Sequence, residues 1–402
     1  MRRQGITVLI YNANEPLPKQ GGMERITDRL ACGLREKGIR TILLCSRRNR
    51  LGENYNAPVS IYYLPPEKKK EFLIDLIEKN SVSHIIDQAE GGIIGKFGIF
   101  KKKTEIFNDI ALIAVQHNSS RAIINNFKIA MRRDCNCQIR QGIYDKIVLP
   151  IRKIHSIWLI KKLYKELSQN YDKIVMLSES FINDFIWFNK KADKNKLLAI
   201  PNMNSYTTVT NKSKENRVLF VGRLISSTKG CDKLLRIWQY ATAGIEDWYL
   251  DIVGDGVDRE ALEEYAKKHE IKNCIFHGFK DPRSFYEKAK IFCMCSIYEG
   301  FGIVLTEAMQ HGVIPLAFDS FSSVRDIISD GETGFLIPPF DEQSYAYKLR
   351  ALITDASWQK NMSETAKKTV EKFSIENVIT QWVQLIEDTD KCQFGKATNF
   401  QQ

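Results

Sequence analysis

Short apolar segments alternate with amphipathic segments along almost the whole chain, and the pattern occurs in two successive series. In the first half the apolar runs read ITVLIYN, RTILLCS, SIYYL, SHIID, ALIAVQH and KIVMLS. In the second half they read RVLFVGR, YLDIVGD, CIFHG, KIFCMCS, IPLAF and GFLIPP. Nearly continuous apolar strands separated by helices are typical of parallel sheets that helices cover on both faces. The sequence therefore predicts an α/β protein with two doubly wound, Rossmann-like domains.

The boundary between the two series falls in the stretch LLAIPNMNSYTTVTNKSKENRVLF, which is rich in Asn, Thr, Ser and Lys. We predict a first domain over residues 1–204 and a second over residues 205–375. No apolar run approaches the roughly 18 residues of a membrane-spanning helix. The N-terminal MRRQGITVLIYN has no long apolar region and no small-residue cleavage site, so no signal peptide is expected.

The formal net charge is +11, which indicates an anionic partner such as a nucleotide, a nucleic acid or an acidic membrane surface. Residues 119–170 hold eleven Lys or Arg and three Asp or Glu, a net charge of +8. Most of the excess therefore lies in this one segment. We find no nucleic-acid recognition motif there and expect no nucleic acid as a partner.

Polar residues that follow the strands matter most, because ligands of doubly wound sheets bind at the carboxyl ends of the strands. In the first half, Gly21 and Gly22 directly precede a predicted helix and would let backbone N–H groups approach a phosphate. A flexible turn is the alternative. His117 ends a strand, and its alternative is a structural or merely exposed side chain.

In the second half, Arg223 follows a strand directly and Lys229 comes before a glycine and a helix. Two cations beside a turn suit a diphosphate leaving group, although a solvated surface pair is the alternative. The run VGDGVDREAL lacks the third glycine of a dinucleotide fingerprint. We interpret it as a tight turn in which Asp258 caps a helix.

The stretch SIYEGFGIVLTEAMQHG places one acid, Glu299, in a loop and another, Glu307, about one turn into the next helix. Gly302 and Ile303 begin that helix, whose free N–H groups favour a phosphate. A sugar nucleotide fits this pattern, with the diphosphate at the helix start and hydroxyls accepted by a carboxylate on either side. A capping or solvated role is the alternative for either acid taken alone.

The motifs of the second half resemble those of the donor domain in retaining GT-B glycosyltransferases of family 4. The runs GRLISSTKGCDKLL, VGDGVDREAL, EGFGIVLTEAM and SDGETGFLIPPFD have that family's order and spacing over residues 217 to about 345. QGGMER, QHN, MLSES and IPN extend the resemblance more weakly into the first half. The resemblance implies the GT-B fold, with two domains facing across a cleft.

The resemblance also implies a role for each site residue. Arg223 and Lys229 would grip the donor diphosphate, Glu299 would contact hydroxyls of the transferred sugar, and Glu307 would contact the ribose. Gly302 and Ile303 would offer backbone N–H groups to phosphate. Gly22 would lie near the phosphates, and His117 would face the donor sugar.

The family's chemistry retains the anomeric configuration and needs no metal and no other cofactor. Neither CNC nor CMC has the usual zinc spacing, and the aspartates of DTD, at residues 388–390, lie near the C-terminus. In this family the last helix crosses back to the first domain, and residues 376–390 are the candidate. Residues 391–402 are expected to form a flexible tail.

The basic segment interleaves Ile, Leu, Trp and Tyr with Lys and Arg, as in YDKIVLPIRKIHSIWLIKKLYKELSQN. A basic amphipathic helix of this kind is typical of contact with an anionic membrane. An ordinary helix with a solvated basic face is the alternative. We expect a cytoplasmic glycosyltransferase, peripheral on the inner face of the plasma membrane, that uses a nucleotide-diphospho-sugar, with UDP favoured, and a glycan or lipid-linked acceptor.

Two other functions remain open from the sequence. A sugar-nucleotide 2-epimerase can share the two-domain fold and bind a similar donor, and it would convert the sugar nucleotide without an acceptor. An inactive, membrane-associated subunit that binds a sugar nucleotide is the other, although the presence of Arg223, Lys229, Glu299 and Glu307 favours an active enzyme.

Overall fold

The structure is a computed structural model that describes residues 5–19, 21–49, 51–96, 98–130, 144–206 and 213–390. Its strands are β1 (Thr7–Asn14), β2 (Arg40–Arg47), β3 (Ser60–Tyr63), β4 (His84–Asp87), β5 (Ala111–Gln116), β6 (Lys173–Met176), β7 (Leu197–Ala199), β8 (Arg217–Val221), β9 (Tyr249–Val253), β10 (Cys274–Gly278), β11 (Ile291–Met294), β12 (Ile314–Phe318) and β13 (Phe335–Ile337).

Its helices are α1 (Gly22–Glu36), α2 (Lys69–Asn80), α3 (Ser120–Asn125), α4 (Phe127–Ala130), α5 (Leu149–Asn170), α6 (Glu179–Phe188), α7 (Ser226–Lys229), α8 (Cys231–Ala241), α9 (Arg259–Lys268), α10 (Arg283–Lys288), α11 (Ile303–Gln310), α12 (Val324–Ile327), α13 (Glu342–Thr354), α14 (Ala356–Thr369) and α15 (Ile375–Asp388). Short 3-10 turns occupy Glu105–Phe107, Lys194–Lys196 and Val370–Phe373, and a π-helical turn occupies Tyr144–Val148.

Each of the two predicted series of strands forms one parallel sheet. The first sheet has the order β3-β2-β1-β4-β5-β6-β7 and the second the order β10-β9-β8-β11-β12-β13. Both orders reverse direction once, between β1 and β4 and between β8 and β11, as doubly wound sheets do. The predicted α/β architecture is thereby confirmed. All twelve predicted strands are present, and β7 is an additional three-residue strand that the sequence analysis missed.

The inner strands of both sheets are buried because helices cover them, whereas the edge strands β3 and β10 are partly exposed. All four residues of β4 and all four of β11 are buried, which explains their unbroken apolar character. In the second sheet the core joins strand residues such as Val218 and Leu316 to helix residues such as Trp238 and Leu349, all at most 1% exposed. Such complete burial supplies most of the stabilisation of a domain.

The chain divides into two compact units. The first comprises Met1–Asn118, Trp158–Ser205 and Ser374–Gln402, and the second comprises Ser119–Ile157 and Tyr206–Phe373. The break after Ser205 falls next to the predicted boundary. The sequence analysis assigned residues 119–157 to the first domain, whereas their contacts group them with the second unit. Residues 391–402, predicted to be a flexible tail, lie outside the described residues.

The predicted crossing-back segment, residues 376–390, corresponds to α15 within the first unit. Ser374 caps this helix by accepting a hydrogen bond from the backbone of Asn377. Its apolar face is buried, and Ile379 packs so closely on Gly33 of α1 that a Cβ at position 33 would overlap it. The glycine therefore lets the two helices approach each other.

The basic segment is partly described. Arg132, Arg133 and Arg140 lie outside the described residues, whereas α5 carries five further Lys or Arg side chains. No helix in the described ranges is both long and apolar enough to cross a membrane.

Candidate functional site

The second sheet reverses its strand order between β8 and β11, which pair directly, Val218 with Ile291 and Leu219 with Phe292. Ligands of doubly wound folds bind outside the carboxyl ends of the strands at such a reversal. Arg223 comes two residues after the end of β8 and Glu299 five residues after the end of β11. The two predicted site residues thus lie in the two loops that leave the reversal point.

Lys229 and Glu299, which are seventy positions apart in the chain, form an ion pair in the second unit. The Lys229 ammonium donates to Oε1 of Glu299, and the Ser296 hydroxyl donates to the same oxygen at 2.6 Å. The two charged side chains are only 19% and 13% exposed, so the pair is largely shielded from water. The structure therefore brings together a cation and an acid that the sequence analysis placed in one site, and adds Ser296, which it missed.

A close backbone contact makes this ion pair possible. Lys229 is the last residue of α7, and Gly230 follows in the left-handed conformation with φ of 64°. A Cβ at position 230 would overlap the carbonyl oxygen of Cys295, just after β11. Only glycine lets α7 approach the end of β11 this closely.

The N-terminus of α7 is anchored by Asp258, although the sequence analysis predicted a different role for that residue. Asp258 does stand at the N-cap position of α9, but its side chain makes no capping bond there. Its carboxylate instead accepts a hydrogen bond of 2.6 Å from the backbone N–H of Ser226 at the start of α7. The loop after β9 therefore helps to fix the helix that carries Lys229.

Arg223 is exposed in the loop that follows β8. Its positive charge acts on Tyr298, where it opposes the rise in pKa that burial and the neighbouring Glu299 carboxylate cause. Arg223 and Lys229 thus flank the loop of Glu299 with two cations. This arrangement is able to bind a group that carries two or more negative charges.

Helix α11 begins next to the same loop. Gly302 is its N-cap residue, has φ of 88° and provides no side-chain cap for the first N–H groups. Ile303, the first helical residue, is partly exposed. An N-terminus of this kind favours an anion, because the helix dipole and the backbone donors both point toward it.

Glu307 lies in the fifth position of α11 and is only 1% exposed. The Tyr286 hydroxyl donates to its Oε2 at 3.1 Å, and the Tyr286 ring stacks on the ring of His311. Nδ1 of His311 lies 2.8 Å from the Glu307 carbonyl oxygen. The second predicted acid is therefore held in a buried network with Tyr286, which the sequence analysis missed because α10 is distant in the chain.

Two serines from the loop after β12 hold the loop that carries Glu299. The Ser323 hydroxyl lies within hydrogen-bond distance of the carbonyl oxygens of Gly300 and Phe301, at 3.0 and 3.1 Å. The Ser320 hydroxyl donates to the carbonyl oxygen of Ser296 at 2.6 Å. The conformation of the Glu299 loop is thus fixed by its neighbours in the sheet.

The remaining two predicted residues belong to the first unit. Gly22 is the first residue of α1, behind Gly21, whose backbone is extended. His117 follows β5 and is 6% exposed, and this burial lowers its pKa to about 4. The imidazole is therefore neutral near pH 7. Its Nε2 atom is buried and makes no hydrogen bond within the described part of the chain.

Buried polar groups that the sequence analysis did not consider surround His117. The backbone of Gln88 hydrogen-bonds the His117 ring, and the Glu90 carboxylate accepts from the His117 backbone N–H at 3.3 Å. Burial raises the pKa of Glu90. The signal in the sequence was QAEGG directly after the apolar run SHIID, which puts polar residues at the end of β4, the neighbour of β5.

Within the described ranges, no three His, Cys, Asp or Glu side chains are grouped so that they could hold a metal ion. Asp388 and Asp390, the acids of the DTD run, lie at and just after the end of α15.

Comparison with solved structures defines the class of fold. TarM of Staphylococcus aureus, in a complex with UDP and other ligands, superposes with a TM-score of 0.69 at 12% identity, over 95% of this chain and 99% of that one. HepE of Anabaena, in a complex with UDP and glucose, superposes with a TM-score of 0.68 at 15% identity, over 95% and 100%. The protein has the GT-B fold.

Sequence comparison narrows the class. Residues 206–369 match the family described as Glycosyl transferases group 1. An uncharacterized glycosyltransferase of Haemophilus influenzae is 32% identical over 229 residues, which cover 56% of this chain and 64% of that protein. An alpha-1,4-N-acetyl-D-galactosaminyltransferase of Campylobacter jejuni, named for an acceptor linked to PP-undecaprenol, is 31% identical over 174 residues, 43% of this chain and 48% of its own. The matched region thus spans roughly half to two thirds of each relative.

Proposed function

We propose that this protein is a retaining glycosyltransferase of family 4 that transfers a hexose or N-acetylhexosamine from a nucleotide-diphospho-sugar. The observation that carries the proposal is the group formed by Arg223, Lys229, Glu299 and the start of α11 at the reversal point of the second sheet. Two cations and a helix N-terminus suit a diphosphate, and the shielded carboxylate between them suits sugar hydroxyls. The match of residues 206–369 to Glycosyl transferases group 1 supports it.

In the proposed mechanism the diphosphate is both the leaving group and the proton acceptor. An acceptor hydroxyl attacks the anomeric carbon on the face from which the diphosphate departs. The bond between the anomeric carbon and the phosphate oxygen breaks, and a phosphate oxygen takes the hydroxyl proton. Arg223 and Lys229 stabilise the charge that develops on the phosphate, and this electrostatic contribution lowers the barrier.

The other residues bind and orient the donor. Glu299 accepts hydrogen bonds from hydroxyls of the transferred sugar, Glu307 binds the ribose, and the N–H groups at Gly302 and Ile303 bind phosphate. We assign Gly22 to the phosphates and His117 to the sugar, where the neutral ring accepts or donates a hydrogen bond without a change in charge. The proposal requires neither a metal nor another cofactor.

UDP is the proposed nucleotide, supported by the complexes with UDP of TarM and HepE. A thermal-shift panel of UDP, GDP and ADP with their common sugar conjugates tests this, because a ligand that binds the folded state raises the melting temperature. We expect UDP and one UDP-sugar to raise it in the presence of a chelator. If no nucleotide raises it, the donor site does not exist as proposed.

An assay with a radiolabelled UDP-sugar then distinguishes the transferase from the epimerase. A transferase yields UDP and a glycosylated acceptor, and the anomeric proton coupling of the product reports whether the configuration is retained. Conversion of the sugar nucleotide without any acceptor would identify an epimerase instead. Binding without turnover in either assay would indicate an inactive binding subunit.

We further propose that the acceptor is a glycan or a lipid-linked oligosaccharide in bacterial surface polysaccharide or lipopolysaccharide synthesis. The acceptor named for the Campylobacter jejuni relative supports a lipid-linked substrate. Cytoplasmic location with peripheral membrane contact is part of this proposal, because sugar nucleotides and the inner leaflet meet there.

Helix α5 and the turn before it support the membrane contact. Exposed apolar side chains at spacings of four, three and four residues form one stripe, which consists of Ile147, Ile151, Ile154 and Trp158. Basic residues flank the stripe: Lys146, Arg152, Lys153, Lys161, Lys162 and Lys165. Apolar side chains beside cations are the combination that binds an anionic interface.

Co-sedimentation with vesicles of phosphatidylglycerol and phosphatidylethanolamine tests the membrane contact at low salt. We expect the wild-type protein to sediment and the variant with Lys161→Glu and Lys165→Glu to bind at least tenfold more weakly, because each cation near the surface contributes roughly 1 kcal/mol. The control variant carries Lys190→Glu and Lys191→Glu, two exposed lysines with the same total change in charge. Equal loss in both variants would show only a nonspecific effect of charge.

A further inference from the structure

The loop that carries Glu299 receives a hydrogen-bonding side chain from a distant part of the chain. The Asn126 side-chain amide nitrogen donates to the carbonyl oxygen of Ile297 at 2.7 Å and to that of Ser320 at 2.9 Å. Ile297 comes two residues before Glu299. An amide nitrogen carries two protons, so this one side chain satisfies both carbonyl groups.

The two carbonyl groups belong to adjacent loops. Ile297 follows β11 and Ser320 follows β12, and these strands pair directly in the second sheet. The backbone N–H of Ile297 also donates to the carbonyl oxygen of Thr228 in α7 at 2.8 Å. Asn126 therefore links the ends of two strands at the point where the Glu299 loop leaves the sheet.

Asn126 is itself held firmly. It ends α3, where its backbone N–H donates to Ala122, and the next residue, Phe127, is 2% exposed. Its segment begins at Ser119, whose hydroxyl oxygen lies 3.4 Å from that of Ser322 in the loop after β12. The segment Ser119–Ala130 thus belongs to the second unit although it directly follows β5 and Asn118 of the first.

We infer that Asn126 is a positioning residue for Glu299. Its amide sets the distance between the Ile297 and Ser320 carbonyl groups and so fixes the orientation of the loop whose carboxylate reads the transferred sugar. The inference rests on the proposed function for the role of Glu299. The two hydrogen bonds of Asn126 are observed independently of that function. It adds to the donor site a residue from the middle of the chain that none of the site motifs contains.

Loss of the amide should affect recognition of the sugar and leave recognition of the nucleotide unchanged. In Asn126→Ala, two buried carbonyl groups lose their donor and the loop shifts. We expect kcat/KM for the UDP-sugar to fall about tenfold or more while the Kd for free UDP stays within twofold. A purely structural role would weaken both ligands together or lower only the melting temperature.

Two further variants sharpen the test. Asn126→Asp keeps the shape of the side chain but directs a carboxylate at two carbonyl oxygens, so its loss of activity should exceed that of Asn126→Ala. Asn125→Ala is the matched control, because Asn125 is the preceding residue, has the same chemistry and is exposed. We expect this control to behave like the wild type in every assay.

Hydrogen–deuterium exchange over residues 296–302 gives a readout that needs no activity. The loop should exchange faster in Asn126→Ala than in Asn125→Ala, with the strand β8 unchanged. Equal exchange in the two variants would overturn the positioning role, as would equal losses of affinity for UDP and the UDP-sugar. If the wild type binds no nucleotide, the proposed function fails, while the exchange result still decides whether Asn126 positions the loop.

Discussion

Lys229 and Glu299 neutralise each other at the reversal point of the second sheet, and the Ser296 hydroxyl donates to the same carboxylate oxygen as Lys229. A phosphate that approaches Lys229 competes with this carboxylate for the ammonium protons. Under the proposed function, an anion without sugar hydroxyls breaks this ion pair and leaves the Glu299 carboxylate without a partner, which weakens its binding.

Lys229→Ala should lower kcat by about 10² or more, because the developing charge on the leaving phosphate loses a fixed cation. Steady-state kinetics with the UDP-sugar measures this, and Lys268→Ala, an exposed lysine in α9, serves as the control. Turnover within threefold of the wild type would refute the role of Lys229.

Tyr286→Phe should raise the donor KM severalfold with little change in kcat. The substitution removes the hydroxyl that donates to Glu307, and a buried acceptor that loses its donor costs about 1–3 kcal/mol. Isothermal titration with UDP should show the same loss, because the ribose is common to UDP and the UDP-sugar. Unchanged affinity for UDP would contradict a ribose-binding Glu307.

The buried His117 should make the protein less stable in mild acid. Its pKa falls from an ordinary value of 6.5 to about 4 on folding because burial disfavours the charged ring. Between these pH values the unfolded chain binds more protons, so the free energy of unfolding falls as the pH drops below 6.5. At pH 5 the loss should be about 2 kcal/mol.

Urea titrations of the wild type and His117→Gln between pH 7 and pH 5 measure this loss. The variant should show a smaller decrease by about that amount, whereas the control His269→Gln, at an exposed site, should follow the wild type. Parallel curves for all three proteins would mean that His117 is not buried as the structure has it.

At the scale of elements, the strands were predictable from the sequence, whereas the side-chain contacts between distant elements were not. The twelve apolar runs encode strands locally, because most of these strands are buried on both faces and are therefore apolar over most of their length. β7 was not predicted, because its three residues, LLA, are too few to form a recognisable pattern. The roles of Asp258, Tyr286 and Asn126 were not predicted for a different reason. Each side chain acts on a residue 20 or more positions away, and the local sequence pattern does not indicate such contacts.

The C-terminal helix α15 should matter strongly for the first unit. Trp382 is 4% exposed on its buried face. Trp382→Ala should lower the free energy of unfolding by about 3–5 kcal/mol, because it removes a large apolar side chain and leaves a cavity. Urea denaturation followed by far-ultraviolet circular dichroism measures the change. The adjacent, exposed Gln381→Ala is the control, and similar stability of the two variants would contradict the packing.

At the scale of the molecule, the two units have sheets of related topology, but the sequence predicts the site residues of the second unit better than those of the first. Residues 217 to about 345 carry motifs at fixed spacing, and these motifs alone are enough to predict that Arg223, Lys229 and Glu299 share one site. The grouping of residues 119–157 with the second unit was not predictable, because it depends on contacts with residues far along the chain, such as those of Asn126 with Ile297 and Ser320. The order of the strands along the chain, taken alone, assigns this segment to the first domain, because the segment directly follows β5.

Nucleotide binding should protect the two units unequally. Arg223, Lys229, Glu299 and Glu307 all lie in the second unit, so UDP should slow hydrogen exchange mainly there, in α7, α11 and the loops after β8 and β11. Mass spectrometry of peptides with and without UDP measures this. Protection confined to the first unit would contradict the assignment of the donor site.

The division of the chain has a consequence for synthesis. The first unit begins with β1 and is finished only by α15, since Ile379 packs on Gly33 of α1. During translation the last strand of its sheet, β7, emerges long before this helix does. The face of α1 on which Ile379 packs therefore stays uncovered while residues 206–373 are made, and this apolar surface is prone to aggregation until α15 packs on it.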